Sequence, residues 1–343
     1  MTVLSRVTDV RPGMDLRRLA RLCHEAVERC ALDLNGARVL TEAATGPYVV
    51  TPVLAALAGA DVVALTRATR YGSVAEVNGW TSALAVEVGV EDRITVTTER
   101  TEALFAVADV ITNSGHLRPI VDRYAAAIRA DAVVTLMFEA WEIQAGRLDL
   151  DLDGLRARGV RMAGTNERHP AVDVFSYLGP VAVAQLADAG ISAYGGTIAV
   201  LCDNPFRDYL ADGLRRAGAQ VRIGETVEQI SEGPAPDAVI VALTPSGGWV
   251  VSPSDLVAIG SRWPTTALVQ YWGDVDRGAC EAAGLRCWPV DPPGAGHMAV
   301  LPSRVGPEPI IRLQAGGLKV AEVLRKPASD RTAADLEYID ELV

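Results

Sequence analysis

Past residue 37 the chain alternates short apolar runs with segments of helical period. The runs at 37–40, 62–65, 94–96, 110–112, 133–138 and 160–163 are rich in Val and Ile and apolar on both faces. Parallel strands buried on both sides have that pattern. Between them, 47–60, 73–88, 100–108, 119–129 and 150–158 read as helices. Strands and helices in this alternation predict one doubly wound α/β domain over 37–169. Ahead of it, Leu16, Leu19, Ala20, Cys23, Ala26, Val27, Cys30 and Ala31 make one apolar stripe. The stripe predicts an amphipathic helix over 15–34, within an N-terminal segment 1–36, capped by Asp15 and stopped at Gly36.

Residues 170–190 predict a long helix, part of a bridge over 170–192, starting at Pro170 and kinked or broken at Gly179-Pro180. The strand–helix alternation then resumes. Strands are expected at 197–201, 220–223, 238–243, 267–271 and 286–289, with helices at 206–217, 252–259 and 278–283. They make a second Rossmann-like domain over 193–306. Residues 307–325 predict a helix that returns to the first domain, and 326–343 an acidic tail that ends in a short helix. Gly316-Gly317 inside the return helix costs helix stability, which points to close backbone packing. The expected fold is therefore α/β: two doubly wound Rossmann-like domains, an interdomain cleft, a bridging helix and a C-terminal return helix.

A length of 343 residues exceeds what one core usually serves. A net charge of −11 and a pI near 4.9 argue against partners that present phosphates, whether nucleic acid or an anionic membrane. The five cysteines are scattered, without metal-binding spacing, and read as buried thiols in a reducing cytoplasm; no metal site is expected. Neither a signal-peptide core nor a membrane-spanning apolar run occurs.

In open α/β sheets ligands bind beyond the carboxyl ends of the strands. At those ends the first domain places Arg67 and Arg70, then Asn113, His116 and Arg118, then Trp141 and Glu142. This set suits a small anionic metabolite. His297 lies in a Gly/Pro-rich loop over 294–309, between the last strand and the return helix. An imidazole held there suits general acid/base work. Glu308 is the candidate catalytic partner, with Glu281 and Asp291 as other carboxylates able to orient the ring.

The segments Ala242-Leu243-Thr244-Pro245, 269–276 and Gly296-His297-Met298-Ala299 resemble the cofactor domain of the D-2-hydroxyacid dehydrogenase and formate dehydrogenase group. The resemblance is topological and covers most of the second domain. It implies an NAD(P)-linked oxidoreductase with His297 as acid/base. It also implies that Asn204, Glu225, Thr244, Pro245, Trp272 and Asp274 lie beside NAD or NADP. The sequence departs from the group where a Gly-x-Gly-x-x-Gly turn would stand: here it reads Cys202-Asp203-Asn204-Pro205-Phe206-Arg207. In the first domain, 39–48 resembles the first motif of Rossmann methyltransferases, with Thr66-Arg67 in place of the ribose-binding acid. Two other readings stay open: a transferase using S-adenosylmethionine or a nucleotide-sugar donor, and a non-catalytic ligand-binding descendant. Apolar helix surface and the glycine-containing terminal helix suggest a homodimer.

Overall fold

The computed structural model describes residues 11–144 and 149–342. In chain order the strands are β1 (Arg38–Glu42), β2 (Asp61–Leu65), β3 (Ile94–Thr97), β4 (Val110–Asn113), β5 (Val133–Leu136), β6 (Arg161–Thr165), β7 (Thr197–Leu201), β8 (Gln220–Gly224), β9 (Ala238–Ala242), β10 (Ala267–Trp272), β11 (Arg286–Trp288) and β12 (Ile339–Asp340). The helices are α1 (Leu16–Arg29), α2 (Val50–Leu57), α3 (Val74–Val88), α4 (Glu102–Val107), α5 (Asp122–Ala127), α6 (Trp141–Gln144), α7 (Leu152–Ala157), α8 (Leu178–Asp188), α9 (Phe206–Arg216), α10 (Pro253–Arg262), α11 (Arg277–Ala282), α12 (Glu308–Arg325) and α13 (Ala333–Leu336). Two compact units hold them. One takes the described residues up to Val174 and those from Gly306 onward; the other is Phe175–Val305.

The first unit's sheet runs β12-β6-β5-β4-β1-β2-β3. β1 to β6 are parallel, and β12 adds antiparallel to β6, Ile339 opposite Thr165 and Asp340 opposite Gly164. Without β12 this is the 3-2-1-4-5-6 order of dinucleotide-binding sheets, and its direction reverses between β1 and β4. The second sheet, β11-β10-β9-β7-β8, is wholly parallel and reverses between β7 and β9. Its order is the flavodoxin-like one. Apolar strand residues such as Val39, Val110, Val133, Val239 and Leu268 are at most 2% exposed, as expected for sheets covered on both faces.

Local chemistry explains where the helices begin and end. Asp15 accepts the Arg18 N–H at 3.1 Å and caps α1. That helix stops at Cys30, earlier than its apolar stripe suggests, because Ala31 turns left-handed (φ 42°) and its carbonyl is held by Lys319 Nζ at 2.9 Å. Ser73 and Glu76 form a capping box on α3, and Gly89 (φ 72°) ends it.

Residues 170–190 are not one kinked helix. The chain turns at 170–174, makes one 3-10 turn at Phe175–Tyr177, and α8 begins at Leu178. Pro180 therefore sits in the first helical turn, where its missing N–H has no helical partner to lose. Gly179 is needed for a different reason: a Cβ there would lie 2.5 Å from Cα of Gly213, so α8 and α9 touch backbone to backbone.

The Gly316-Gly317 pair has the close packing its sequence suggests. A Cβ on Gly316 would meet Val172 at 2.6 Å and Thr165 at 3.2 Å, and one on Gly317 would overlap the Met137 sulfur. Thr135 Oγ1 donates to the Gly317 carbonyl at 2.6 Å, seating α12 against β5 and β6. No described helix is long and apolar enough to cross a membrane.

Candidate functional site

The polar strand ends of the first sheet converge on the β1/β4 reversal. Thr41, Thr112 and Ser114 hydroxyls form a buried chain with steps of 2.8 Å. Beside them Glu42, the last residue of β1, is 5% exposed. Gly115 lies directly over its carboxyl group, so any side chain there would collide with it. Burial raises the Glu42 pKa, against the opposing pull of Arg118 and an N–H bond from the His116 backbone.

Asn113, at the end of β4, is fully buried; its Nδ2 donates to Asp149 at 3.1 Å. Arg118 Nη1 reaches the other Asp149 oxygen at 3.3 Å. Asn113 Oδ1 has no hydrogen-bond partner among the described residues. A buried amide oxygen left open is a cost that a bound donor would relieve.

Around Arg118 stand further acids. Glu142, on α6, is pushed up to about 8 by burial, with Arg118 opposing and Glu139 and Asp149 adding to the rise. Glu167, just past β6, is raised well above the carboxylate range by burial and by its neighbours Glu142, Glu139 and Asp340. Tyr48 is held up at about 12 by burial and by Glu42. Glu139 is 1% exposed and accepts from Arg168 Nε at 3.2 Å. Acids crowded at a buried edge are pushed towards their neutral form, and a neutral carboxyl donates a hydrogen bond as well as accepting one. Glu142 in particular can exchange a proton near neutrality.

The remaining first-unit candidates are more dispersed. Arg67 is exposed; burial and then its charge lower the His116 pKa. Arg70 is also exposed and spends its guanidinium on Tyr71, 4.7 Å above the ring and 2.5 Å from the hydroxyl. The side chain of Trp141 lies outside the described residues. An open cavity of about 350 Å³ is lined by Asn166, Arg168, His169, Pro170 and Glu337. There the His169 ring stacks on Tyr338 at 3.8 Å, and its Nδ1 accepts the Ala171 N–H at 3.1 Å.

Sequence reasoning did not single out Glu42, Tyr48, Asp149 or Glu167 as site residues. The visible signal for Glu42 and Glu167 was an acid at the end of an apolar run.

At the second sheet's reversal, Asp203 Oδ1 accepts from Thr244 N at 2.8 Å, Thr244 Oγ1 at 3.0 Å and Asn204 Nδ2 at 3.0 Å. Asn204 also donates to the Ala242 carbonyl at 2.7 Å and caps Phe206 N at 3.1 Å. Glu225, beyond β8, is 3.9 Å from Arg207. Trp272 donates from Nε1 to the Gly296 carbonyl at 3.1 Å, and Asp274 accepts the Gly296 N–H at 3.0 and 3.1 Å. Both residues thus brace the loop that carries His297, and Pro245 lies against Gly296 in the same loop. His297 is exposed, with Nδ1 2.9 Å from the Ala295 carbonyl. Glu308 forms an ion pair with Arg18 inside the first unit.

A nicotinamide dinucleotide asks for glycines and open N–H groups at such a turn, so that backbone can approach the pyrophosphate. The β7–α9 turn offers neither. It has no glycine, Pro205 lacks an N–H, Phe206 N is already capped, and a carboxylate faces the crevice. At the β1/β4 reversal, Glu42 and the Gly115 backbone fill the corresponding place. Only Glu225, placed to meet ribose hydroxyls, suits the cofactor. The residues present do not fit a dinucleotide held in the usual way.

No protein-family model matches the chain, and no curated protein matches it. Solved structures do. A dipicolinate synthase polypeptide from Bacillus halodurans is 13% identical, with a TM-score of 0.52, covering 86% of this chain and 100% of that one. Its counterpart in the dipicolinate synthase of Bacillus subtilis is 12% identical, with a TM-score of 0.53 over 86% and 97%. The pyruvate reductase of Chlamydomonas reinhardtii is 12% identical, with a TM-score of 0.50 over 89% and 98%. Identities this low speak for the fold, and the fold is that of the two-Rossmann-domain dehydrogenases.

Proposed function

We propose that the chain is a descendant of the two-domain oxidoreductases that binds a small hydroxy or amino acid at the carboxyl edge of its first sheet and no longer holds a dinucleotide. The observation that carries this reading is Asp203. Its carboxylate occupies the turn where a pyrophosphate would rest, and it is fixed there by three hydrogen bonds. An anion brought to that point meets like charge, which is unfavourable. The first sheet's edge keeps groups complementary to a small acid. Arg118 spends Nη1 on Asp149 and has other guanidinium N–H groups to offer a ligand carboxylate, the open Asn113 Oδ1 takes a donor, and Glu142 can move a proton.

Thermal shift against a panel of hydroxy and amino acids tests the first half. Stabilisation by a member of the panel, lost in Arg118→Ala, is expected; no stabilisation by any member refutes it. Reduced-nicotinamide fluorescence tests the second half. Millimolar NADH and NADPH should leave emission unchanged on mixing.

The second reading is an NAD(P)-linked oxidoreductase acting on a small anionic metabolite, with His297 as its acid/base. Glu225 beyond β8 favours it, and saturable emission enhancement by either cofactor would establish it over the first.

A further inference from the structure

Arg118, whose guanidinium is offered to a ligand carboxylate, sits in a loop. That loop, 114–119, leaves β4 through one 3-10 turn, in which the Leu117 N–H donates to the Ser114 carbonyl at 3.0 Å and the Arg118 N–H to the Gly115 carbonyl at 3.2 Å. A binding group carried on a loop is held less closely than one on a helix or strand, unless neighbouring residues support it.

The support comes from Arg100, between β3 and α4. Its Nη2 donates to the Leu117 carbonyl at 2.7 Å and to the Pro119 carbonyl at 2.5 Å. These carbonyls stand on either side of Arg118, so one nitrogen of Arg100 pins the backbone both before and after it. Arg100 is itself clamped. Its guanidinium carbon lies 3.6 Å from the centre of the Tyr124 ring and 5.4 Å from that of Phe105, which is fully buried. The Tyr124 hydroxyl donates back to the Arg100 carbonyl at 3.4 Å. Beyond Arg118 the chain is tied again: the Ile120 N–H donates to the Asp149 carbonyl at 2.8 Å, and the Asp151 N–H to the Ile120 carbonyl at 3.0 Å.

The charge of Arg100 sets it apart from ordinary packing. Among the described residues no carboxylate pairs with it, and its Nε is buried without an acceptor. A half-buried cation without a counter-charge is costly, and an apolar side chain would fill the space beside two rings at lower cost. An apolar side chain cannot grip two carbonyls. A planar guanidinium stacked on a ring does so with little further loss of freedom.

We propose that Arg100 is a positioning residue for Arg118: by fixing the carbonyls on either side, it sets the Arg118 guanidinium in the orientation that meets a ligand carboxylate. The inference rests on the reading of Arg118 as a carboxylate-binding residue. Arg100 acts through the backbone of 117–119, so that Arg118 is in place before the ligand arrives, and binding does not have to order the loop.

The test measures affinities by calorimetry for two acids and their carboxamides, lactate against lactamide and alanine against alaninamide, in wild-type protein, Arg118→Ala, Arg100→Met and Arg100→Lys. Wild type should prefer an acid over its amide by roughly tenfold or more, and Arg118→Ala should lose the preference. Arg100→Met should lose most of it too, with the affinity for the amide little changed; general destabilisation would lower both affinities together. Arg100→Lys keeps the charge and the donors without the plane and should recover part of the preference. A measurement without ligand accompanies it: in Arg100→Met, hydrogen exchange of a peptide covering 114–120 should quicken by about tenfold, with α3 and α12 unchanged. If Arg100→Met does not fold, Tyr124→Leu, which removes the ring under Arg100, takes its place with the same expected loss. A wild-type preference in Arg100→Met, with Arg118→Ala lacking it, overturns the proposal and leaves the reading of Arg118 standing; so does unchanged exchange at 114–120. No preference in wild type for either acid overturns the reading of Arg118 and the proposal with it.

Discussion

The Glu322 carboxylate on α12 holds together three groups at once, the Lys319 and Lys326 ammoniums and the Asp33 N–H, and its removal should be among the costliest single changes in the first unit. Glu322 is 8% exposed and Lys319 6%. Lys319 Nζ contacts both Glu322 oxygens, at 2.7 and 2.8 Å. Glu322 also accepts the Asp33 N–H at 2.8 Å and lies 3.3 Å from Lys326. Glu322→Ala leaves the Lys319 ammonium buried with no counter-charge, beside the Ala31 carbonyl and the Tyr338 ring 5.9 Å away, and it orphans the Asp33 N–H. Breaking a buried pair by deleting one partner costs about 3–5 kcal/mol, whereas replacing both partners with apolar side chains is often close to neutral. In the double variant Lys319→Met, Glu322→Leu the charge problem disappears. Only the Ala31 and Asp33 backbone groups stay unsatisfied, at about 1–3 kcal/mol each if no water reaches them. The double variant should therefore be more stable than Glu322→Ala by about 1 kcal/mol or more. Urea unfolding followed by far-ultraviolet circular dichroism, fitted for each transition present, gives the comparison. A loss below about 1 kcal/mol in Glu322→Ala, or a double variant weaker than the single one, would refute the reasoning.

Gly316→Ala should destabilise by about 1–3 kcal/mol, because the stiff side chains of Val172 and Thr165 cannot step aside; Gly317→Ala should cost less, because Met137 can move; melting temperatures of the two variants decide. Asp335 should make stability fall in acid. Burial pushes its pKa up, but bonds from Lys326 and Thr332 overcome this and hold it at about 2. The stabilisation is thus full above the ordinary value of ~4 and is lost as pH drops from there towards ~2, a change on the order of 2 kcal/mol. Wild-type protein compared with Asp335→Asn across that range should show the gap closing; a constant gap would exclude it.

Much of the fold could be read from apolar runs. β1, β2, β4, β5, β7, β9 and β10 lie where short Val/Ile-rich or largely apolar segments stand, since a strand buried on both faces has no room for polar alternation; β3, β8 and β11, at sheet edges, mix in polar residues and are largely only half-buried. β12 was invisible. Two residues, Ile339 and Asp340, carry no period, and only the open edge of β6 makes them a strand. The start of α8 was misread because Pro180 breaks a helix in its interior but suits its first turn, and sequence alone does not say which turn it occupies.

Site residues were harder still. The loop around His297 stood out for its glycines and prolines, and Trp272 and Asp274 were assigned to a cofactor. The structure shows both bracing that loop. Conversely, the meaning of Glu42 depends on a glycine far along the chain, Gly115, lying on top of it, which no local pattern encodes.

The antiparallel β12 also has a bearing on how the protein behaves at high concentration. A parallel sheet that ended at β6 would present a row of unpaired backbone groups to solvent, a template on which a second molecule could add a strand. Ile339 and Asp340 occupy that row, and the Asp340 carboxylate takes the Ala140 N–H at 2.6 Å just beyond it. So short a strand has little to hold it except its anchors, and shortening the chain before Tyr338 would remove strand and anchor together. The shortened protein should then self-associate through β6. A polar extension added after the last residue would have no such effect, provided it leaves the two-residue strand in place.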